Sequence, residues 1–242
     1  MTVETKLLYM DDSYATEFSA TVVGLTDDGD VILDRTLFYP TGGGQPHDTG
    51  VLRAGDSNWN VVDVRKRGPA VAHRVEGDTT PEIGDEVVGE IDWDRRHKLM
   101  RTHTALHVLC GVIFKEYGAS VTGANIQLDK ARMDFELEDL NEDRVRHIEE
   151  RVNEELGRLR PVNWRSVPRE EAFQIPDLIR TKINLLPPQI AEVRIVEIEG
   201  VDLQADGGTH VRNTSEVGQI RVIGTRSKGK SNKRIEIELI DS

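Results

Sequence analysis

A single cysteine, Cys110, in 242 residues leaves no partner for an internal disulfide. A stapled scaffold is therefore excluded, and a reducing cytosol is the compartment such a chain suits. No apolar run approaches the roughly 20 residues needed to span a bilayer, and the N-terminus carries no signal-peptide core. A cytoplasmic protein with no membrane partner is expected. Basic residues are in deficit, 31 against 43 acidic, for a net charge of −12. Such a balance ordinarily argues against nucleic-acid binding. It is equally what a saline cytoplasm selects, because charges are screened within about 3 Å at 1 M salt. Charge alone settles neither habitat nor partner, and no repeat or low-complexity tract is present.

What is present divides by composition near Asp92. Over residues 1–91, short alternating or β-branched runs at Ser19–Leu25, Val31–Leu33, Asn60–Val64, Ala70–Arg74 and Glu86–Ile91 are separated by Asp/Gly/Asn turn clusters. That spacing predicts a small β-barrel. Inside it lies Thr41-Gly42-Gly43-Gly44-Gln45, followed by His47. Three consecutive glycines carry a high conformational entropy cost. The loop reads either as a tight barrel turn or as a wall of a substrate cleft, and the donors Gln45 and His47 favour the cleft.

Residues 92–242 read as α+β, with helices packed on an antiparallel sheet. A helix is expected over Asp94–Tyr117, capped by Asp94 and stopped by Gly118. A hairpin follows, Ser120–Leu128 and Ala131–Leu137. Then comes a helix from Asn141 to Leu159 with Val145, Ile148, Val152 and Leu156 as its buried stripe. Pro161–Val167, Ala191–Ile198, Gly218–Ile223 and Arg234–Ile240 read as strands, Pro168–Phe173 as a short helix, and Pro176–Pro188 as irregular because of its Pro187-Pro188 step.

The first of these helices carries the most informative pattern. His103 and His107 stand four apart, so both imidazoles fall on one helical face, a common offer to Zn²⁺. The intervening residues contain no glutamate, so the metalloprotease pattern H-E-x-x-H fails. Further donors stand far downstream in Asp206-Gly207-Gly208-Thr209-His210, where a Gly-Gly turn lets a carboxylate and an imidazole converge. A His, His, Asp, His zinc site is expected. Cys110, three residues past His107, is expected to be core packing.

His103-x-x-x-His107, a later Gly-Gly-Thr-His210 and an earlier Thr41-Gly-Gly-Gly-Gln45 together resemble the AlaX proteins, in their medium-length form. These are free-standing relatives of the alanyl-tRNA synthetase editing domain. The likeness covers nearly the whole chain. It implies trans-editing: ATP-independent hydrolysis of mischarged Ser-tRNA(Ala), and of Gly-tRNA(Ala), with zinc at His103, His107, position 206 and His210. The departure is Asp206, where the commoner family pattern has cysteine. A carboxylate still supplies one anionic ligand, harder than thiolate. If Asp206 binds, all four positions are filled by protein; if it stands back, three histidines leave a place for water. A non-catalytic tRNA-binding relative that has lost its metal through Asp206 is the competing reading.

Serine differs from alanine by one hydroxyl, and a pocket that hydrogen-bonds it rejects the analogue lacking it by about 10⁴–10⁵. Thr122 is the leading candidate reader, with Thr41 and Gln45 weaker and Gly42, Gly43 and Gly44 shaping the same cleft. Against the acidic background, Arg221–Arg234 contains no acidic residue and includes Arg226, Lys228, Lys230, Lys233 and Arg234. It reads as the tRNA contact, through phosphates. Oligomeric state has no sequence signature here.

Overall fold

The computed structural model describes residues 3–183, 186 and 190–240. The Pro187-Pro188 step falls outside them. Two compact units make up the chain, Met1–Lys98 and Leu99–Ser242.

The first unit contains β1 (Lys6–Leu7), β2 (Glu17–Leu25), β3 (Val31–Leu33), β4 (Arg35–Thr36), β5 (Gly50–Ala54), β6 (Ser57–Arg67), β7 (Ala70–Glu76) and β8 (Glu86–Ile91). Six of them close into a barrel in the order β2-β3-β7-β6-β5-β8. Alternation drives this: Val87, Gly89 and Ile91 of β8 point inward while Glu86, Val88 and Glu90 point out. Phe18, Val22, Leu33, Phe38, Leu52 and Val64 fill the interior. Strand β5, Gly50-Val-Leu-Arg-Ala54, has no clear alternation or β-branched run to mark it, and closure pairs it with both β6 and β8.

Helix α1 (Trp93–Tyr117) starts two residues later in the chain than β8 ends. Its cap is Asp92, not Asp94: Asp92 Oδ1 accepts the Arg95 N–H at 3.1 Å. Asp94 instead lies in the first turn, where its charge favours the helix N-terminus. Gly118 ends the helix at φ +64, as a left-handed stop requires. The expected apolar stripe is wider than a stripe, because every residue from Thr102 to Ile113 is buried.

The second unit continues with β9 (Val121–Ile126), β10 (Lys130–Phe135), α2 (Glu142–Leu156), β11 (Val162–Pro168), α3 (Arg169–Ala172), β12 (Glu192–Ile198), β13 (Asp202–Ala205), β14 (Gln219–Ser227) and β15 (Lys233–Ile240). The class is α+β, with the antiparallel strands divided between two sheets, β14-β15-β10-β9 and β11-β12-β13. Asn141 caps α2, accepting the Arg144 N–H at 2.9 Å. It ends at Leu156, three residues before the expected Leu159, with Gly157 as the C-cap. Side chains of α2 also blunt the sheet edge at β14. Asn153 exchanges two hydrogen bonds with the Ile220 backbone, at 2.8 and 2.9 Å, and Glu149 accepts the Val222 N–H.

Candidate metal centre

His103 and His107 leave α1 one turn apart, their ring centroids separated by 5.1 Å. His210 joins them at 4.3 and 4.7 Å. Asp206 completes the group: one oxygen lies 3.0 Å from His210 Nε2 and the other 3.7 Å from His103 Nε2. One donor atom from each of the four falls within 4.8 Å of all the others.

The downstream pair reaches α1 because β13 aims it there. On a strand, alternate residues share a face, so Asp202, Gln204 and the following Asp206 point the same way. The loop then turns back on itself, with Asp206 Oδ2 accepting the Gly208 N–H at 2.6 Å. Arg194 on β12 pins it, its Nη1 donating to the carbonyls of Asp206 and Gly208 at 3.2 and 3.0 Å. Each imidazole is also oriented from behind. Asp202 Oδ2 accepts from His107 Nδ1 at 2.9 Å, and Thr104 Oγ1 stands 3.2 Å from His210 Nδ1. Both contacts leave the Nε2 atom toward the cluster, as a metal ligand requires.

Electrostatics favour deprotonated donors. Burial, reinforced by the neighbouring His210, holds His103 well below its ordinary value. Burial likewise lowers His210 to about 4. Burial would raise the Asp206 carboxyl, but the imidazoles around it outweigh that and hold it well below the usual carboxylate range. His107 is the exception, since burial lowers it while the Asp202 hydrogen bond and charge lift it above its ordinary value. Neutral imidazole nitrogens and an ionised carboxylate are the donor set that zinc takes, so these residues fit the ion.

Asp202, Gln204, Thr104 and Arg194 were not legible as site residues. The alternation Asp202-Leu203-Gln204-Ala205-Asp206 is the signal that would have found two of them. Thr122 lies exposed on β9, its hydroxyl accepting from Asn232 Nδ2 at 3.1 Å. Thr41, Gly42, Gly43, Gly44 and Gln45 belong to the barrel unit. Gly43 and Gly44 adopt φ +59 and +88 between the mutually hydrogen-bonded Gly42 and Gln45, a tight turn whose left-handed positions favour glycine. Gln45 is buried. The turn is seated on β6 through Thr41 N–H to the Val64 carbonyl.

The basic segment forms the β14–β15 hairpin, and much of its charge is engaged within the protein. Lys228 and Arg234 both hold Asp134, at 2.8 and 2.7 Å. Lys233 is buried and donates to the carbonyls of Gly229 and Lys230. Arg226 and Lys230 project exposed. Among the described residues no helix is long and apolar enough to cross a membrane.

Comparison with known proteins agrees with this layout. A family model described as "tRNA synthetases class II (A)" matches residues 2–95. A second, "Threonyl and Alanyl tRNA synthetase second additional domain", matches residues 193–236. Alanyl-tRNA editing protein AlaX-M of Methanosarcina barkeri is 46 % identical, covering 98 % of this chain and 100 % of the relative. The protein of that name from Methanosarcina acetivorans is 44 % identical over 98 % and 100 %. An alanine–tRNA ligase of Ignicoccus hospitalis is 41 % identical over 96 % of this chain, which spans 26 % of that longer relative. A likeness this extensive to whole AlaX-M proteins, on a chain whose cluster is assembled from its own helix and loop, places it: the chain belongs to the AlaX-M family of alanyl-tRNA editing proteins.

Proposed function

We propose that this protein is a trans-editing hydrolase that deacylates tRNA(Ala) mischarged with serine or glycine, using zinc held by His103, His107, Asp206 and His210. The observation that carries the reading is the convergence of those four donors within 4.8 Å in a chain that matches AlaX-M relatives end to end. Asp206 stands where a thiolate is commoner, and its oxygens lie against His103 and His210. That placement supports a retained metal over a relative that has lost it.

Zinc held there would supply Lewis-acid stabilisation of negative charge developing on the ester. The chain's own side chains do the rest. Asp202 holds the His107 ring by its Nδ1 atom, and Thr104 seats His210. Arg194 keeps the Asp206–Gly208 loop closed through two carbonyls. Thr122 is the proposed reader of the serine hydroxyl, and Thr41 and Gln45 are the weaker candidates. Phosphates of the tRNA are met by the exposed Arg226 and Lys230, with Lys228 and Arg234 held by Asp134 and Lys233 by the Gly229 and Lys230 carbonyls, fixing the hairpin that presents them.

Protein purified without chelator should contain about one equivalent of zinc and should deacylate Ser-tRNA(Ala) far faster than Ala-tRNA(Ala). His103→Ala should lose both metal and activity. Thr122→Val, which keeps the shape and removes the hydroxyl, should slow the serine substrate selectively. A folded, metal-free, inactive wild type that still binds tRNA would instead support the non-catalytic reading.

A further inference from the structure

We infer that the exposed ring of Trp164 is a stacking platform for the unpaired nucleobase at the 3′ end of the aminoacylated RNA. This deepens the editing reading and rests on it.

Strand register establishes which way the ring faces. In the β11-β12-β13 sheet, Ser166 pairs with Arg194, Trp164 with Val196, and Val196 in turn with Gln204, while Ile198 pairs with Asp202. Directly paired residues share a face, as do alternate residues along each strand. Trp164, Arg194, Gln204 and Asp202 therefore lie on one face. The opposite face is the apolar side, where Val167, Val193 and Ile195 pack together with Leu203 and Ala205. The face bearing Trp164 is thus the one from which Asp202 and Gln204 reach His107 and from which Arg194 grips the Asp206 loop.

Trp164 nevertheless remains 44 % exposed. Among the described residues β11 is an edge of its sheet, bordered by the 212–213 segment only at Pro161 and Val162. The Arg194 guanidinium approaches its ring, 5.4 Å from the centroid, a cation–π contact. An exposed indole backed by a cation accepts a base irrespective of its identity, because every base offers a π-face.

The same arginine links the platform to the chemistry. Arg194 approaches Trp164 by its guanidinium carbon and holds the cluster's loop by Nη1, so one arginine side chain touches both the ring and the Asp206 loop. The scissile ester of an aminoacyl-RNA hangs from the terminal ribose, with the terminal base on the other side of that sugar. A substrate with its ester at the cluster holds that base one ribose away, and the indole is an exposed ring on the same sheet face as the residues that support the cluster, joined to the cluster's loop through Arg194.

Two measurements test this. In kinetics, Trp164→Ala should raise KM for Ser-tRNA(Ala) by about 5- to 150-fold, the loss expected for one base stack. Trp164→Phe should recover most of it. Zinc content and hydrolysis of seryl ethyl ester, which has no base, should be unchanged in both variants. An unchanged KM for the tRNA substrate overturns the inference, and so does an equal loss on the ethyl ester, which would make Trp164 a support for Arg194 alone. In binding, a short single-stranded RNA ending in adenosine should quench tryptophan fluorescence of the wild type and not of Trp164→Phe. That readout needs no turnover: quenching without deacylation would keep the platform and sink the editing reading, whereas deacylation without quenching would do the reverse.

Discussion

Asp202 Oδ2 lies 2.9 Å from His107 Nδ1, with neither side chain more than 6 % exposed. A carboxylate that accepts the Nδ1 proton fixes the imidazole tautomer and raises the basicity of Nε2. Gln204 donates to the same oxygen at 2.6 Å, and Arg180 Nε stands 3.5 Å from the other. Oδ2 is held by His107 and Gln204 while Arg180 lies at ion-pair distance from Oδ1, and the Oδ2 contact orients the His107 ring toward the cluster.

Asp202→Asn should therefore weaken zinc binding by about 10- to 100-fold while the fold persists, the usual effect of losing such a support. Competition with a fluorescent chelator measures it. Wild-type affinity in the variant would show that the His107 ring needs no carboxylate behind it.

Gly111 lies on α1 one turn beyond His107, and a Cβ there would sit 2.5 Å from the Val201 carbonyl oxygen and 3.1 Å from Asp202 Cβ. Gly111→Ala must push the β12–β13 turn away from the helix, against packing that does not yield freely. A destabilisation of about 1–3 kcal/mol in urea unfolding is expected, together with weaker zinc binding as Asp202 moves off His107. A variant at least as stable as wild type, with unchanged zinc affinity, would contradict this close approach.

Arg96 and Asp48 form a fully buried ion pair in the barrel unit. The guanidinium is satisfied beyond that pair, donating to the Leu37 carbonyl at 2.6 Å and the Ser13 carbonyl at 2.9 Å, and Asp48 also accepts the Tyr39 N–H at 2.7 Å. Arg96→Met leaves a carboxylate buried without its counter-charge, which should cost about 3–5 kcal/mol. Adding Asp48→Asn should restore part of the loss. Additive losses in the double variant would mean that the two side chains do not interact.

His73 makes the barrel's stability depend on pH. Its Nδ1 donates to the Val31 carbonyl at 3.0 Å and its Nε2 accepts from Thr36 Oγ1 at 2.9 Å, a pairing suited to the neutral ring. Burial lowers its pKa from 6.5 to about 4, against the pull of the Val31 carbonyl and of Asp30. The unfolded chain binds the proton from about pH 6.5 downward, whereas the folded one waits until about 4. Stability from this group is thus complete above 6.5 and is lost as pH falls toward 4, by about 3 kcal/mol in all. The wild type should lose more stability over that window than His73→Gln. An NMR midpoint for the His73 ring above 6 would remove the basis for this.

On the proposed reading, the basic hairpin has two roles. Replacing Arg226 and Lys230 with Ala should reduce the log–log salt dependence of tRNA binding by about 1.4–1.8, from two phosphate contacts at roughly 0.7–0.9 each. Lys233→Ala should instead loosen the turn whose Gly229 and Lys230 carbonyls it holds, with little change in slope. The opposite pattern would return the phosphate contact to Lys233.

Local chemistry decided a good deal of this protein before any tertiary contact. Alternation marked β3 and β8 to the residue, Asn141 capped α2, and the i, i+4 spacing put His103 and His107 on one helical face. Each is a property of neighbours in sequence, through φ/ψ preference, side-chain period or a cap within three residues. The helix start moved from Asp94 to Asp92 because either carboxylate satisfies the composition rule, and only backbone geometry distinguishes a cap from a first-turn charge. The closure of β5 onto β8 and the pairing of β10 with β15 depended on partners far along the chain, which short segments do not encode. So did the support of the cluster: Asp202 meets His107 across 95 positions and Arg194 meets Gly208 across 14. The engagement of Lys228 and Arg234 with Asp134 was likewise invisible, because a charge run announces its sign but not its partners. Residue types and spacing determined which atoms were available to hold a metal; packing of β13 on α1 decided how each would be aimed.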